Sequence, residues 1–246
     1  MCADIVHDHS AEAIRERLED TNEASYLRDW IYGGIDGAVT TFAIVSGVIG
    51  ADLSIKIILI LGAANIVADG FSMAASNYTG TKAENEEFDR IRAHEDRQID
   101  RDPLGEIREI REIYRAKGFE GKDLERAVSI ITSDRKLWVD TMMTEEYGLP
   151  MQERSSVKAA IGTFIAFLLC GLVPLFPYLI LQAPDTRMLA NILCISLTGL
   201  TFFVIGSIKA RWSLISWWRS GVETLAIGLG AAGIAYGIGY LLKGLI

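Results

Sequence analysis

Five long apolar segments stand out in the pattern of hydrophobic and polar positions along the 246-residue chain. Each is long enough for a helix to cross about 30 Å of hydrocarbon. None alternates polar and apolar residues as the strands of a membrane barrel do. The pattern therefore predicts an all-α membrane protein with five transmembrane helices. These helices are expected at about 30–51, 57–81, 157–183, 188–208 and 222–242.

The chain becomes rich in charged residues between the second and third apolar segments, where acidic side chains outnumber basic ones. Pro103 and Gly118 interrupt this region, which predicts helices near 80–100, 104–117 and 122–146. We therefore expect a three-helix acidic domain inserted between two spans. The predicted organisation is an amino-terminal segment at 1–29 with an interfacial helix, spans at 30–81, the acidic domain at 82–154, and spans at 155–246.

The basic residues near the span ends predict the orientation, because cytoplasmic loops of membrane proteins carry the excess of Lys and Arg. Seven such residues fall on one side and three on the other. The first group is Arg28, Lys82, Arg154, Lys158, Lys209, Arg211 and Arg219, and the second is Lys56, Arg187 and Lys243. This predicts an integral membrane protein whose amino terminus and acidic domain are cytosolic.

The net charge of −8 and the lack of a basic stripe argue against a nucleic-acid partner.

Two acids, Asp36 and Asp69, lie inside predicted spans. An ionised carboxylate at that depth costs about 2.5 to 3.5 kcal/mol or more, so such groups usually face a pathway, a partner or an ion. Asn65, Asp69, Met73 and Asn77 recur every four positions and share one helix face. This face is either a wet seam for an ion or a polar strip that joins helices. The cost favours the pathway for Asp69, while Asp36 could instead extend to the headgroups.

The acidic segment carries carboxylates and thioethers at helical spacing. They are Glu95, Glu106, Glu109, Glu112, Met142, Met143 and Glu146. Oxygen ligands with an occasional thioether suit Fe²⁺, Mn²⁺ or Co²⁺. The alternative is a set of solvated helix faces in which neighbouring arginines pair with these glutamates. Only the whole set indicates a metal-binding domain.

Three stretches of the chain carry residues of a known family in the same order and spacing. They are YGGIDGAVTTFAIVSGVIGA, ANIVADGFSMAASNYTGTKAE and MMTEEYGL. In these stretches the chain resembles the vacuolar iron transporter family, in its prokaryotic branch. The resemblance implies a five-span homodimer, in an inner membrane, that exports Fe²⁺ and often Mn²⁺ from the cytosol in exchange for protons. It implies no tightly bound cofactor, since the metal ions are cargo.

The resemblance also implies roles for individual residues. Asp36 and Met73 match residues of the ion path, which would lie at the dimer interface. The metal-collecting set of the family matches Glu95, Glu106, Glu109, Met142, Met143 and Glu146. Gln98 stands where better-known members have a glutamate of that set, which removes one charge. The second-span acid of those members falls at Asn65, so a role for Asp69 in proton coupling is a hypothesis.

Two other classes of protein remain as alternatives. A membrane-anchored ferritin-like iron oxidase would need a Glu-x-x-His pair, but the residue three positions before His94 is Ile91. A metal-binding sensor would bind metal through the acidic domain, and its spanning helices would contain no ion path. The sequence therefore predicts a transporter and not an enzyme.

Overall fold

The computed structural model describes residues 8–20, 25–149 and 154–245, and the part of the chain so described contains helices but no strand. The helices are α1 (Ala11–Asp20), α2 (Leu27–Gly50), α3 (Ile55–Arg101), α4 (Pro103–Ala116), α5 (Gly121–Thr132), α6 (Arg135–Glu145), α7 (Ser156–Ile180), α8 (Arg187–Lys209) and α9 (Trp217–Leu242). Five of them, α2, α3, α7, α8 and α9, are long and apolar enough to cross a membrane. The predicted all-α membrane protein with five spans is confirmed.

The chain forms two compact units. The membrane unit, within residues 25–80 and 155–246, contains α2, the first part of α3, and α7 to α9. The acidic unit, within residues 1–24 and 81–154, contains α1, the rest of α3, and α4 to α6. Helix α3 therefore contributes residues to both units.

Helix α2 is the central element of the membrane unit, and glycines set its distance from its neighbours. A Cβ added at Gly33 or Gly37 would overlap the backbone of α7, at the carbonyl oxygens of Thr163 and Phe167. A Cβ at Gly50 would overlap the carbonyl oxygen of Tyr236 on α9. Backbone-to-backbone contact of this kind is typical of membrane helices that pack through small residues. Helix α2 is thus held against α7 along one half and α9 along the other.

The turn between α2 and α3 is fastened to the ends of α8 and α9. Asp52 adopts a left-handed backbone conformation with φ of 59°. The Asp52 carboxylate accepts a hydrogen bond from Lys243 Nζ at 2.9 Å and lies 3.5 Å from a guanidinium nitrogen of Arg187. A second Arg187 nitrogen donates to the Leu53 carbonyl oxygen at 2.9 Å. These bonds connect the far ends of four spanning helices.

The acidic unit differs in two ways from the predicted three-helix insert. Its first predicted helix, 80–100, is not a separate element, because α3 continues without a break to Arg101. The predicted helix at 122–146 is two helices, α5 and α6, because Asp134 begins a new helix. The Asp134 carboxylate accepts the Leu137 N–H at 3.0 Å, which is a helix N-cap. Apolar side chains of these helices, including Ile110, Met142 and Met143, form a shared core.

A single methyl group at Gly37 is expected to disrupt the membrane unit. In Gly37→Ala the new Cβ must displace the backbone of α7, and overpacking of this kind costs about 1 to 3 kcal/mol or more. We expect a lower thermal unfolding temperature in detergent and a smaller monodisperse fraction. Gly230→Ala is the matched control, because its Cβ meets nothing within 4 Å. Equal unfolding temperatures for both variants would contradict the close contact.

Candidate functional site

The membrane unit brings several predicted path residues together between α2 and α3. Asp36 on α2 is half-buried, and its carboxyl lies close enough to Asp69 on α3 to feel its charge. Thr40 Oγ1 donates to the Asp36 carbonyl oxygen at 2.9 Å. The Asn65 amide in turn donates to Thr40 Oγ1 at 3.2 Å. Asp36, Asn65 and Asp69 therefore belong to one polar region shared by the two helices.

The outer face of α3 exposes Asp69 on the surface of the single chain. Met73, one turn further along, is half-buried. Small exposed side chains share this surface of α3 with the larger exposed side chains of Leu61, Val67 and Phe71. The small residues are Ala64, Ala68, Ser72, Ala75 and Ser76. A single chain in a bilayer would therefore expose an ionisable group, together with small and apolar side chains, to the molecule that lies beside α3.

Asn77 lies in a different setting from the other path residues. Its amide nitrogen donates to Asp29 Oδ1 at 2.9 Å, to Thr163 Oγ1 at 2.7 Å and to the Ala159 carbonyl oxygen at 3.3 Å. Asp29 is only 3% exposed. This network joins α2, α3 and α7, as the polar-strip interpretation expects. Sequence reasoning missed Asp29 and Thr163, although Asp29 precedes Asp36 by two helical turns.

The acidic unit gathers four of the predicted metal-collecting glutamates. Glu95 on α3 and Glu106 on α4 are buried, with 2% and 5% of their surface exposed. Burial, followed by the nearby charges of Glu109, Glu95 and Glu146, raises the pKa of Glu106 to about 7. Burial, followed by the charges of Glu109 and Glu95, raises the pKa of Glu146 to about 6. The four carboxyls are thus close enough to repel one another.

Polar contacts hold only part of this cluster. Tyr147, which sequence reasoning missed, donates its hydroxyl to Glu95 Oε1 at 2.8 Å. Glu106 Oε2 is buried, and within the described residues it has no hydrogen-bond partner. Such an oxygen is costly to bury, and in native proteins it calls for an explanation such as a functional role. Among the residues that the structure describes, no group therefore satisfies this acceptor oxygen of the cluster.

The predicted metal ligands differ in burial, and the two methionines face the apolar core. Met142 and Met143 are fully buried and pack in the apolar core of the acidic unit. Gln98 is half-buried, and Glu109 and Glu146 are exposed. Across the described ranges, no group of three or more His, Cys, Asp or Glu side chains is arranged to hold a metal ion. The glutamates are neighbours without forming a closed coordination shell.

Comparison with known proteins places the chain in a family. The model of the VIT family matches residues 27–240, which run from the start of α2 into the last turn of α9 and include α3 to α6 of the acidic unit.

The chain belongs to the VIT family.

Three relatives have similar lengths and are named as transporters and not as enzymes. The vacuolar iron transporter of Toxoplasma gondii is 34% identical, over 96% of this chain and 82% of the relative. Vacuolar iron transporter 1 of Oryza sativa subsp. japonica is 30% identical, over 97% of this chain and 93% of the relative. Vacuolar iron transporter 1 of Arabidopsis thaliana is 29% identical, over 85% of this chain and 83% of the relative.

These matches confirm the family and the prediction that the chain is not an enzyme. They also weaken the oxidase alternative, which would require an enzymatic site on the acidic unit. The prokaryotic branch stays a prediction.

In this VIT-family protein, Glu106 should reduce the stability of the metal-free state at neutral pH. Its pKa rises from 4.5 to about 7 on folding, so the folded state loses stability as the pH rises between these values. Below about pH 4.5 both states are protonated and no penalty remains. We expect Glu106→Gln to stabilise the metal-free protein by about 1 to 3 kcal/mol at pH 8, and by much less at pH 4.5.

Thermal unfolding of the metal-free protein in detergent, with a chelator present, measures this effect. Glu112→Gln is the control, because Glu112 is exposed and paired with Arg115 on the same helix. Its variant should show no gain at pH 8. A Glu106→Gln variant that is less stable than the parent at pH 8 would show that the carboxylate is satisfied in the fold.

Proposed function

We propose that this VIT-family protein exports Fe²⁺, and also Mn²⁺, from the cytosol in exchange for protons, as a homodimer. The single observation that carries the proposal is the position of Asp69. It is exposed on the outer face of a helix long and apolar enough to span a membrane, and it lies beside Asp36. The names of the relatives support iron as the cargo.

The exposure of Asp69 favours a second copy over lipid as its neighbour. An ionised carboxylate that faces acyl chains is costly, whereas one that faces a wet seam or an ion is not. The exposed small residues on the same face would let two α3 helices approach closely. A twofold axis beside this face would bring Asp36, Asp69 and Met73 of both chains to one seam. The path is therefore proposed to lie between the two copies.

The chemistry of the seam supports exchange of metal for protons. Carboxylate oxygens with the Met73 thioether suit Fe²⁺ and Mn²⁺, which accept mixed oxygen and sulfur ligands. Burial favours the protonated form of a carboxylate, whereas a bound cation favours the ionised form. Metal ions and protons therefore compete for Asp36 and Asp69. Protons that enter from the far side release the metal there and return the site to its starting state.

The acidic unit supplies metal to this path in the proposed mechanism. Glu95, Glu106, Glu109 and Glu146 repel one another in the metal-free state, and Glu106 Oε2 has no partner within the described residues. A divalent cation would relieve both costs by drawing the carboxylates around itself. Gln98 is proposed to contribute a neutral oxygen to this set, which would bind metal less tightly than a carboxylate at the same position. The acidic unit lies in the cytosol according to the distribution of basic residues.

Substitution of Asp36 tests the proposal in sealed proteoliposomes. Asp36→Asn removes the charge and keeps the side-chain size, so the protein should insert while Fe²⁺ flux driven by a pH gradient falls to the background level of protein-free liposomes. Mn²⁺ flux should fall in parallel. Asp185→Asn is the matched control, because Asp185 is an exposed acid in the turn that precedes α8. Its flux should equal that of the parent.

Two outcomes would contradict the proposal. Unchanged Fe²⁺ flux in Asp36→Asn would remove Asp36 from the path. Metal binding by the parent protein without flux in any gradient would favour a metal-binding sensor instead.

A further inference from the structure

A pocket of about 430 Å³ opens in the membrane unit where α2 begins and α8 ends, and neither the proposed ion path nor the acidic cluster uses it. Its walls combine two cations, two aromatic rings and two aliphatic side chains. They are Arg28, Lys209, Tyr32, Trp212, Leu27 and Ile31. A pocket with this lining is complementary to a ligand that has one anionic part and one apolar part.

Among the described residues, no acidic group neutralises the positive charge of the pocket. Within the part of the chain that the structure describes, neither Arg28 nor Lys209 forms a salt bridge, and no carboxylate lines the pocket. Asp29, the acid next to Arg28, turns into the bundle and accepts from Asn77. The Arg28 guanidinium instead lies over the Tyr32 ring, 5.4 Å from its centroid. An anion between Arg28 and Lys209 would therefore meet two free positive charges.

The surroundings of the pocket indicate that it lies at the level of lipid headgroups. Tyr32 and Trp212 are 54% and 64% exposed, and Leu214 in the following loop and Trp217 at the start of α9 are exposed as well. Exposed Trp and Tyr side chains are enriched at the membrane–water interface. Helices α2 and α8 begin or end beside the pocket, so it opens at the end of two spans. Basic pockets between spanning helices bind anionic headgroups.

We propose that this pocket binds an anionic phospholipid. The phosphate lies between the Arg28 guanidinium and the Lys209 ammonium, and an acyl chain follows Leu27 and Ile31 along α2. A lipid suits the site better than free phosphate, because the aliphatic wall gives a water-soluble anion nothing to contact. The bound lipid therefore contacts both the first and the fourth spans. The inference does not depend on the proposed transport function.

Ligand-dependent unfolding of the full-length protein in detergent tests the proposal. Phosphatidylglycerol should raise the unfolding temperature of the parent protein, while phosphatidylcholine and water-soluble glycerol phosphate should not. The Arg28→Gln, Lys209→Gln double variant should bind phosphatidylglycerol about tenfold or more weakly, because each lost contact is a charge-assisted hydrogen bond. Lys158→Gln is the matched control, since Lys158 is an exposed cation at the start of α7 outside the pocket. It should bind as the parent does.

A second measurement locates the bound lipid on the parent protein and does not require the double variant to fold. Photo-crosslinking with a diazirine-bearing phosphatidylglycerol should label peptides from the start of α2 and the end of α8. Label confined to other segments would overturn the proposal, as would equal stabilisation by phosphatidylcholine. Equal stabilisation by glycerol phosphate would assign the pocket to a free phosphate and reject a lipid. Unchanged lipid affinity in a folded double variant would remove Arg28 and Lys209 from the site.

Discussion

The cost of keeping ionised carboxylates within helices that cross a membrane is the constraint on which this structure depends. Asp36 and Asp69 can be kept there only beside water, a cation or a partner chain. The fold places them together by holding α2 directly against the backbone of α7, through Gly33 and Gly37. The Asn65–Thr40 hydrogen bond then joins α3 to α2 near Asp36. Helix α7 packs closely against one side of α2, and Asp36 lies on the side of α2 that faces α3.

Asp29, Glu106 and Asp69 lie in three different environments. Asp29 is buried and accepts from Asn77, so it contributes to the packing of three helices. Glu106 is buried with an oxygen that finds no partner among the described residues, which destabilises the metal-free fold. Asp69 is left exposed on a spanning helix. Only the first of these arrangements is satisfied within one chain. The other two are the places where the proposed function has metal ions and protons bind.

Much of the fold could be predicted from the sequence, because lipid imposes length and hydropathy on each span. The five spanning helices and the family follow from local patterns of this kind. The continuity of α3 through Gly80 could not be predicted from the sequence, because glycine ends some helices and lies within others. The break at Asp134 was available as an N-cap signal but was missed. The Asn77 network joins residues up to 86 positions apart, and a helical period contains no information about such partners.

Disulfide cross-linking between two copies tests the central claim most directly, namely that a second chain covers the Asp69 face of α3. Ser72→Cys, placed on that face with the three native cysteines replaced by alanine, should form a covalent dimer in membranes on mild oxidation. Ile192→Cys on the exposed side of α8 should remain monomeric under the same conditions. Efficient cross-linking at Ile192→Cys with none at Ser72→Cys would mean that Asp69 faces lipid, and the account would be wrong.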